Sequence, residues 1–223
     1  TPLHSSAASD VYKRQENDSL SVIHTYNWHM FTLLAENLNF GEGPRWHNDK
    51  LWFSDFYQHA VLTVDLDGNI ERIVDIPNQP SGLGWLPNGD LLIVSMLDRK
   101  IMKYSNNALT LHSDLSKLTP FRCNDMVVDK DGHAYVGNFG SLHHAKDVKP
   151  TCLIHIDPDG NANIAARKLD FPNGTVITPD GKKMIIGETY AGRLTSFDIN
   201  ADKQLSNRKV WAKMMPTWYY IGV

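Results

Sequence analysis

Three oxygen-bearing residues stand at one fixed distance from three turn signals. Counting seven residues back from Asn88 reaches Ser81, from Asp131 reaches Asn124, and from Asp180 reaches Asn173. A fourth, Glu42, lies six residues before Asn48, one short of the same count. A carboxylate, a hydroxyl and two amide oxygens that converge would suit a hard cation such as Ca²⁺, Mg²⁺ or Mn²⁺, not a thiolate zinc centre. Glycine follows Glu42, Ser81 and Asn173, which permits close approach of backbone to a ligand. Arg122, two residues before Asn124, is expected to face the same zone, where a fixed cation can hold an oxyanion or a sugar hydroxyl. Asn and Ser also begin strands after turns for purely local reasons, and Arg122 after Pro120 has a plain surface reading. The shared register favours a site; no single residue does.

The elements that must position these residues are strands. Asn48-Asp49, Asn88-Gly89, Asp131-Gly132 and Asp180-Gly181 recur at spacings of 40, 43 and 49 residues. A β-rich run follows each: 51–54, 91–94, 134–137 and 184–187. A second series of runs (61–65, 101–104, 153–157 and 194–198) precedes further turns at Asp67-Gly68, Asn106-Asn107, Asp159-Gly160 and Ala201-Asp202. Each of these turns leads to an outer strand. Four strands per repeat at this period is the pattern of a β-propeller blade. The expected fold is all-β, with four blades of four antiparallel strands starting near Gly41, Ser81, Asn124 and Asn173. A sandwich or single barrel would also show short, evenly spaced strands. Inner strands are expected near 42–47, 81–86, 124–129 and 173–178. The polar residue opens each of them, so the four converge near the propeller axis.

Chain direction places the loop after the second strand on the same end as the polar residues. In the third blade that loop is long, from Phe139 to Pro150, and carries His143, His144 and Asp147. Long loops often serve as lids or binding loops. The two histidines read either as solvated loop residues or as a chelating or basic pair.

Composition bounds the function class. The 223 residues are 42% hydrophobic and 21% charged, enough for a sizeable core. With 22 basic and 25 acidic side chains the net charge is -3, and no basic run offers a footprint for nucleic acid. No apolar run approaches the roughly 18 residues of a membrane span. Two cysteines, Cys123 and Cys152, are too few for a disulfide framework, so a reducing, cytoplasmic setting is expected. Residues 1–27 are expected to be a foreign or disordered leader, since Thr1–Gln15 resembles translated adaptor sequence. Residues 28–212 are expected to form the partial propeller, and 213–223 an aberrant or truncated end. An open arc leaves sheet faces bare. Residues 31–36 (FTLLAE) therefore read as a strand awaiting a last blade supplied by sequence beyond Val223.

Five segments, in order and at matching spacing, carry a resemblance. Glu42-Gly43-Pro44-Arg45-Trp46, Pro80-Ser81-Gly82-Leu83-Gly84, Arg122-Cys123-Asn124-Asp125, Tyr135-Val136-Gly137-Asn138-Phe139 and Phe171-Pro172-Asn173-Gly174 resemble the SMP-30/gluconolactonase/luciferin-regenerating-enzyme family, which includes regucalcin. The resemblance runs from about Phe40 to Trp211. It implies a six-bladed β-propeller, here incomplete at four blades, and a monomer when complete. It also implies one divalent cation in the channel, Ca²⁺ favoured over Mg²⁺, Mn²⁺ or Zn²⁺, and hydrolysis of a sugar lactone. Glu42 and Asn173 match two metal ligands of the family, and Arg122 and Asn124 match its substrate-contacting pair. The family's third ligand, an Asp in Pro-Asp-Gly that doubles as general base, has no counterpart in Met215-Pro216-Thr217-Trp218-Tyr219-Tyr220. An acid that some relatives carry in the third-blade loop is also missing, with Leu142 and His143 nearest. The catalytic base is thus unassigned, and this chain is expected to be only weakly active. A non-catalytic propeller that binds calcium or a partner, and a related lactonase or phosphotriesterase, are the rival expectations.

Overall fold

The computed structural model describes residues 33–142 and 148–214. His143, His144 and Asp147, the stretch 215–220 and the whole expected leader lie outside them. Residues 34–214 form a compact unit of four sheets, each of four antiparallel strands hydrogen-bonded in chain order. The first blade holds β1 (Gly41–His47), β2 (Lys50–Asp55), β3 (Ala60–Val64) and β4 (Ile70–Asp75). The second holds β5 (Pro80–Trp85), β6 (Leu91–Ser95), β7 (Lys100–Ser105) and β8 (Ala108–Asp114). The third holds β9 (Cys123–Val128), β10 (Ala134–Asn138), β11 (Thr151–Ile156) and β12 (Ala162–Leu169). The fourth holds β13 (Pro172–Ile177), β14 (Lys183–Glu188), β15 (Arg193–Ile199) and β16 (Leu205–Lys213). The inner strands β1, β5, β9 and β13 neighbour one another in succession, which is the propeller arrangement. Among the described residues no helix is long and apolar enough to cross a membrane.

Burial follows position in the blade. β6 and β10 are buried along their whole length, because a neighbouring blade covers each face, whereas β4 and β16 are largely exposed. The core lies between blades. Val61, Ile76, Leu83 and Ile93 join the first to the second, and Leu92, Val94, Met126 and Ile154 join the second to the third. Tyr135, Leu153, Met184 and Phe197 join the third to the fourth. Polar ties supplement them: His47 stacks on Trp85 with centroids 4.0 Å apart, and the Tyr135 hydroxyl donates to the Lys203 carbonyl at 2.8 Å.

The one-residue mismatch at Glu42 has a local cause. The first hairpin closes through a two-residue turn, Asn48-Asp49, with both residues at positive φ, +49° and +59°. The other blades use longer connections over residues 86–90, 129–133 and 178–182. Of the expected strand at 31–36, residues 31 and 32 lie outside the described residues, and 33–36 pair with no strand among the described residues. Asn37 takes φ +61°, and the buried Asp55 carboxylate captures the backbone N–H groups of Asn39 at 2.7 Å and Phe40 at 3.2 Å. This segment is therefore held as irregular chain over the first blade, where Ala35 packs against the cluster of Phe53, Leu62 and Val64.

Close approach of the inner strands depends on missing side chains. A Cβ at Gly82 would fall 2.3 Å from the Met126 backbone nitrogen, so the second and third blades meet as bare backbone there. Gly82→Ala must push those blades apart and is expected to cost about 1–3 kcal/mol. Chemical denaturation reads this directly, and a midpoint equal to the parent's would contradict the packing described.

Candidate functional site

Every inner strand carries a β-bulge at its polar residue. On β1 the register shifts between Glu42 and Arg45, and on β5 between Pro80 and Leu83. On β9 it shifts between Cys123 and Met126, opposite Asn138 and Val136, and on β13 between Asn173 and Thr175. A bulge bends the strand and re-aims the side chain beside it. The four register shifts recur at one level of the propeller, beside Glu42, Ser81, Asn124 and Asn173.

Three of the predicted residues are joined directly. Asn124, 1% exposed, donates from Nδ2 to Asn173 Oδ1 at 2.9 Å. Its own Oδ1 accepts from the buried Ser81 hydroxyl at 3.3 Å. The string Ser81–Asn124–Asn173 thus links the second, third and fourth blades. Asn173 Oδ1 also accepts the Gly174 N–H at 3.0 Å. Ser54, which the register did not single out, pairs with Glu42 in the ladder and donates to the Ser81 carbonyl at 2.6 Å.

Glu42 is half-buried and abuts this string through the backbone. A Cβ at the following Gly43, which takes φ +59°, would lie 2.9 Å from the Ser81 carbonyl oxygen. Glu42 Oε2 accepts the Gly43 N–H at 2.9 Å. Burial pushes the Glu42 carboxyl above the usual carboxylate range and the nearby Asp125 carboxylate adds to this, while the Gly43 N–H and Arg45 oppose it. Arg122 sits one residue ahead of β9, and its carbonyl accepts the Phe139 N–H at 3.1 Å. Its backbone is therefore at the Asn124 end of the third blade.

The donor set can be tested for a cation. Among the described residues no group of three or more His, Cys, Asp or Glu side chains is placed to hold a metal. A cation here would rest on one carboxylate and neutral oxygens. The half-buried Glu42 carboxylate, disfavoured in its charged form, would gain from a hard cation. Asn173 Oδ1 already receives two N–H groups, so an Asn124 amide rotation must free it before it can ligate. The set fits a hard, weakly held cation.

Two charged residues at the site escaped the register: Arg45, on β1, and Asp125, the residue after Asn124, joined at 2.9 Å. Their signal was their position on inner strands, where apolar residues would otherwise be expected. A further repeat was also missed. The second strands end in Asp55, Ser95, Asn138 and Glu188, each 3% exposed or less, which close the same end of each blade.

Residues 40–219 match the family described as the SMP-30/gluconolactonase/LRE-like region. The sequence is 22% identical over 221 residues to diisopropyl-fluorophosphatase from Loligo vulgaris, covering 84% of this chain and 68% of that protein. A gluconolactonase from Xanthomonas campestris superposes with a TM-score of 0.69 at 22% identity, over 82% of this chain and 65% of its own length. The calcium-binding protein regucalcin from Agrobacterium tumefaciens superposes with a TM-score of 0.66 at 20% identity, over 79% of this chain and 60% of its own. The chain therefore spans about two thirds of the length of these proteins, and the structural likenesses show a shared fold.

Proposed function

Because the chain belongs to the SMP-30/gluconolactonase/LRE-like family, we propose that it carries the polar end of a metal-dependent lactonase site acting on sugar lactones. The observation that supports this is the hydrogen-bonded string Ser81–Asn124–Asn173 lying against the half-buried Glu42. Glu42 and Asn173 would hold the cation. A divalent cation bound there supplies Lewis-acid polarisation of the lactone carbonyl and stabilises the developing oxyanion. Asn124, whose amide turns from Asn173 when that residue ligates, would orient the substrate by a hydrogen bond, and Arg122 would offer positive charge to its hydroxyls or oxyanion. Burial of the site's floor by Ser54 and Ser81 limits water around these donors. The gluconolactonase neighbour favours sugar lactones as the substrate class.

Diisopropyl-fluorophosphatase among the relatives supports a second reading, a phosphotriesterase at the same oxygen set. A tetrahedral phosphoryl centre and a lactone carbonyl both develop negative charge on an oxygen that the same cation and donors would stabilise.

The test is hydrolysis of glucono-1,5-lactone by the 223-residue chain, with and without Ca²⁺ and with a chelator. Only weak cation-dependent turnover is expected, since no catalytic base is assigned, and it should saturate only on the order of 10⁻³ M Ca²⁺, as for sites with few charged ligands. A folded protein with no cation-dependent turnover of lactone would reject the lactonase reading. Turnover of diisopropyl fluorophosphate alone would put the second reading in its place.

A further inference from the structure

Arg45 ties together two inner strands that are not neighbours. From β1 its Nη2 donates to Asp125 Oδ1 at 2.9 Å and to the Met126 carbonyl at 2.7 Å, both on β9. Its Nη1 donates to the Pro44 carbonyl at 2.8 Å, which fixes the guanidinium plane against its own strand. Between β1 and β9 stands β5. At this level β5 offers Ser81-Gly82, where Gly82 presses against Met126 and Gly43 presses against Ser81. The absence of side chains there draws the three strands together and brings the third blade within reach of an arginine from the first.

The tie spans two places where the ladder does not hold position. On β1 the bulge separates Glu42 from Arg45, and on β9 the register shifts across Asn124 and Asp125. Backbone pairing within each blade is interrupted beside the very residues that the site needs to space across blades. A planar guanidinium whose Nη2 gives one N–H to a carboxylate and one to a carbonyl, while Nη1 is held by a second carbonyl, is directional. The pair is also partly shielded from solvent, with side chains 29% and 11% exposed. An exposed ion pair of ordinary geometry would contribute little; this one has a second acceptor in the Met126 carbonyl and an anchor in the Pro44 carbonyl.

We propose that Arg45 is a positioning residue, whose tie to Asp125 and Met126 sets the separation between Glu42 on β1 and Asn124 on β9. This rests on the metal-dependent reading of the site, and the substitutions below separate the two. Three roles for Arg45 predict different outcomes. As a positioning residue, Arg45→Met loosens the oxygen set and weakens Ca²⁺ binding. As a mere neighbouring charge, its removal strengthens binding, because a positive group beside the cation is gone. As a purely structural tie, it lowers thermal stability and leaves Ca²⁺ affinity unchanged.

The experiment uses the full chain with calorimetric Ca²⁺ titration and, without metal, the side-chain amide cross-peaks of Asn124 and Asn173. Arg45→Met is expected to weaken Ca²⁺ binding by on the order of 10-fold and to shift the Asn124 amide in the metal-free protein. Asp125→Asn, which keeps the acceptor and loses the charge, is expected to stay within a few-fold of the parent. Arg45→Lys, which keeps the charge and loses the guanidinium plane that the Pro44 carbonyl fixes, is expected to behave like Arg45→Met. Unchanged or tighter Ca²⁺ binding in Arg45→Met with an unmoved Asn124 amide would overturn the proposal. If Arg45→Met does not fold, Arg45→Lys decides by the same readouts, and parent-like values overturn it. If the parent itself binds no Ca²⁺, the metal reading fails, and the Asn124 amide alone then supports or overturns the role of Arg45.

Discussion

Glu42→Gln is expected to lower kcat/KM for a sugar lactone by on the order of 10²-fold or more while leaving the fold as stable as the parent or more so. The substitution is nearly isosteric, and the Gln carbonyl oxygen can still accept the Gly43 N–H that Glu42 accepts at 2.9 Å. What is lost is the negative charge. Among the donors brought together at the string's end, Ser81, Asn124 and Asn173 are neutral, so Glu42 is the charge on which cation affinity depends. In the metal-free protein that charge is a liability, because burial and the nearby Asp125 both disfavour the ionised carboxyl. Removing it relieves the folded state. Loss of function together with unchanged or improved stability is the signature of a group kept for chemistry, not for packing. Steady-state kinetics with a chemical melt of the same preparation provides the check. Retained cation-dependent turnover, or a large loss of stability, would remove Glu42 from the site.

Strand positions were legible because turns and apolar runs are local. The inner strands expected near 42–47, 81–86, 124–129 and 173–178 are Gly41–His47, Pro80–Trp85, Cys123–Val128 and Pro172–Ile177. Asn-Asp, Asn-Gly and Asp-Gly fix where each hairpin reverses, and the repeat then fixes which residue opens each inner strand. The same logic singled out Ser81, Asn124 and Asn173, which the structure joins by hydrogen bonds. It failed where the cause is not local. The bulges arise where one blade presses on the next, as at Gly82 against Met126, and nothing in an isolated strand announces them. Arg45 and Asp125 lie 80 residues apart, so their pairing depends on how the blades stack. Residues 33–36 pair with no described strand, and Asp55 claims the backbone donors of Asn39 and Phe40 just beyond them.

Removing the Glu188 carboxylate, as in Glu188→Ala, is expected to destabilise the protein by about 3–5 kcal/mol, the cost of breaking a buried ion pair from one side. Glu188 is 0% exposed and ends β14. Arg193 donates to both its oxygens, Nε at 2.9 Å and Nη2 at 2.8 Å. Arg208 Nη2 reaches Oε1 at 3.3 Å, the Asp170 N–H reaches Oε2 at 2.9 Å, and the Thr195 hydroxyl donates to Oε1. Arg208 also caps the Arg167 and Lys168 carbonyls at 3.0 and 2.8 Å, so the cluster fastens the fourth blade to β12 of the third. Burial alone would raise this carboxyl, but Arg193, Thr195 and the Asp170 N–H bring it down from 4.5 to about 2. A depressed carboxyl stabilises the fold above the unfolded value, near 4.5, and that contribution drains away as pH falls toward 2. The full contribution is roughly 3 kcal/mol. Other carboxylates titrate in the same range, Asp131 among them, so the comparison must be with Glu188→Gln. The gap in unfolding free energy between parent and Glu188→Gln is expected to be greatest near neutral pH and to narrow between pH 4.5 and 2. A gap that stays constant across that window would mean that the Glu188 charge does not hold the two blades together.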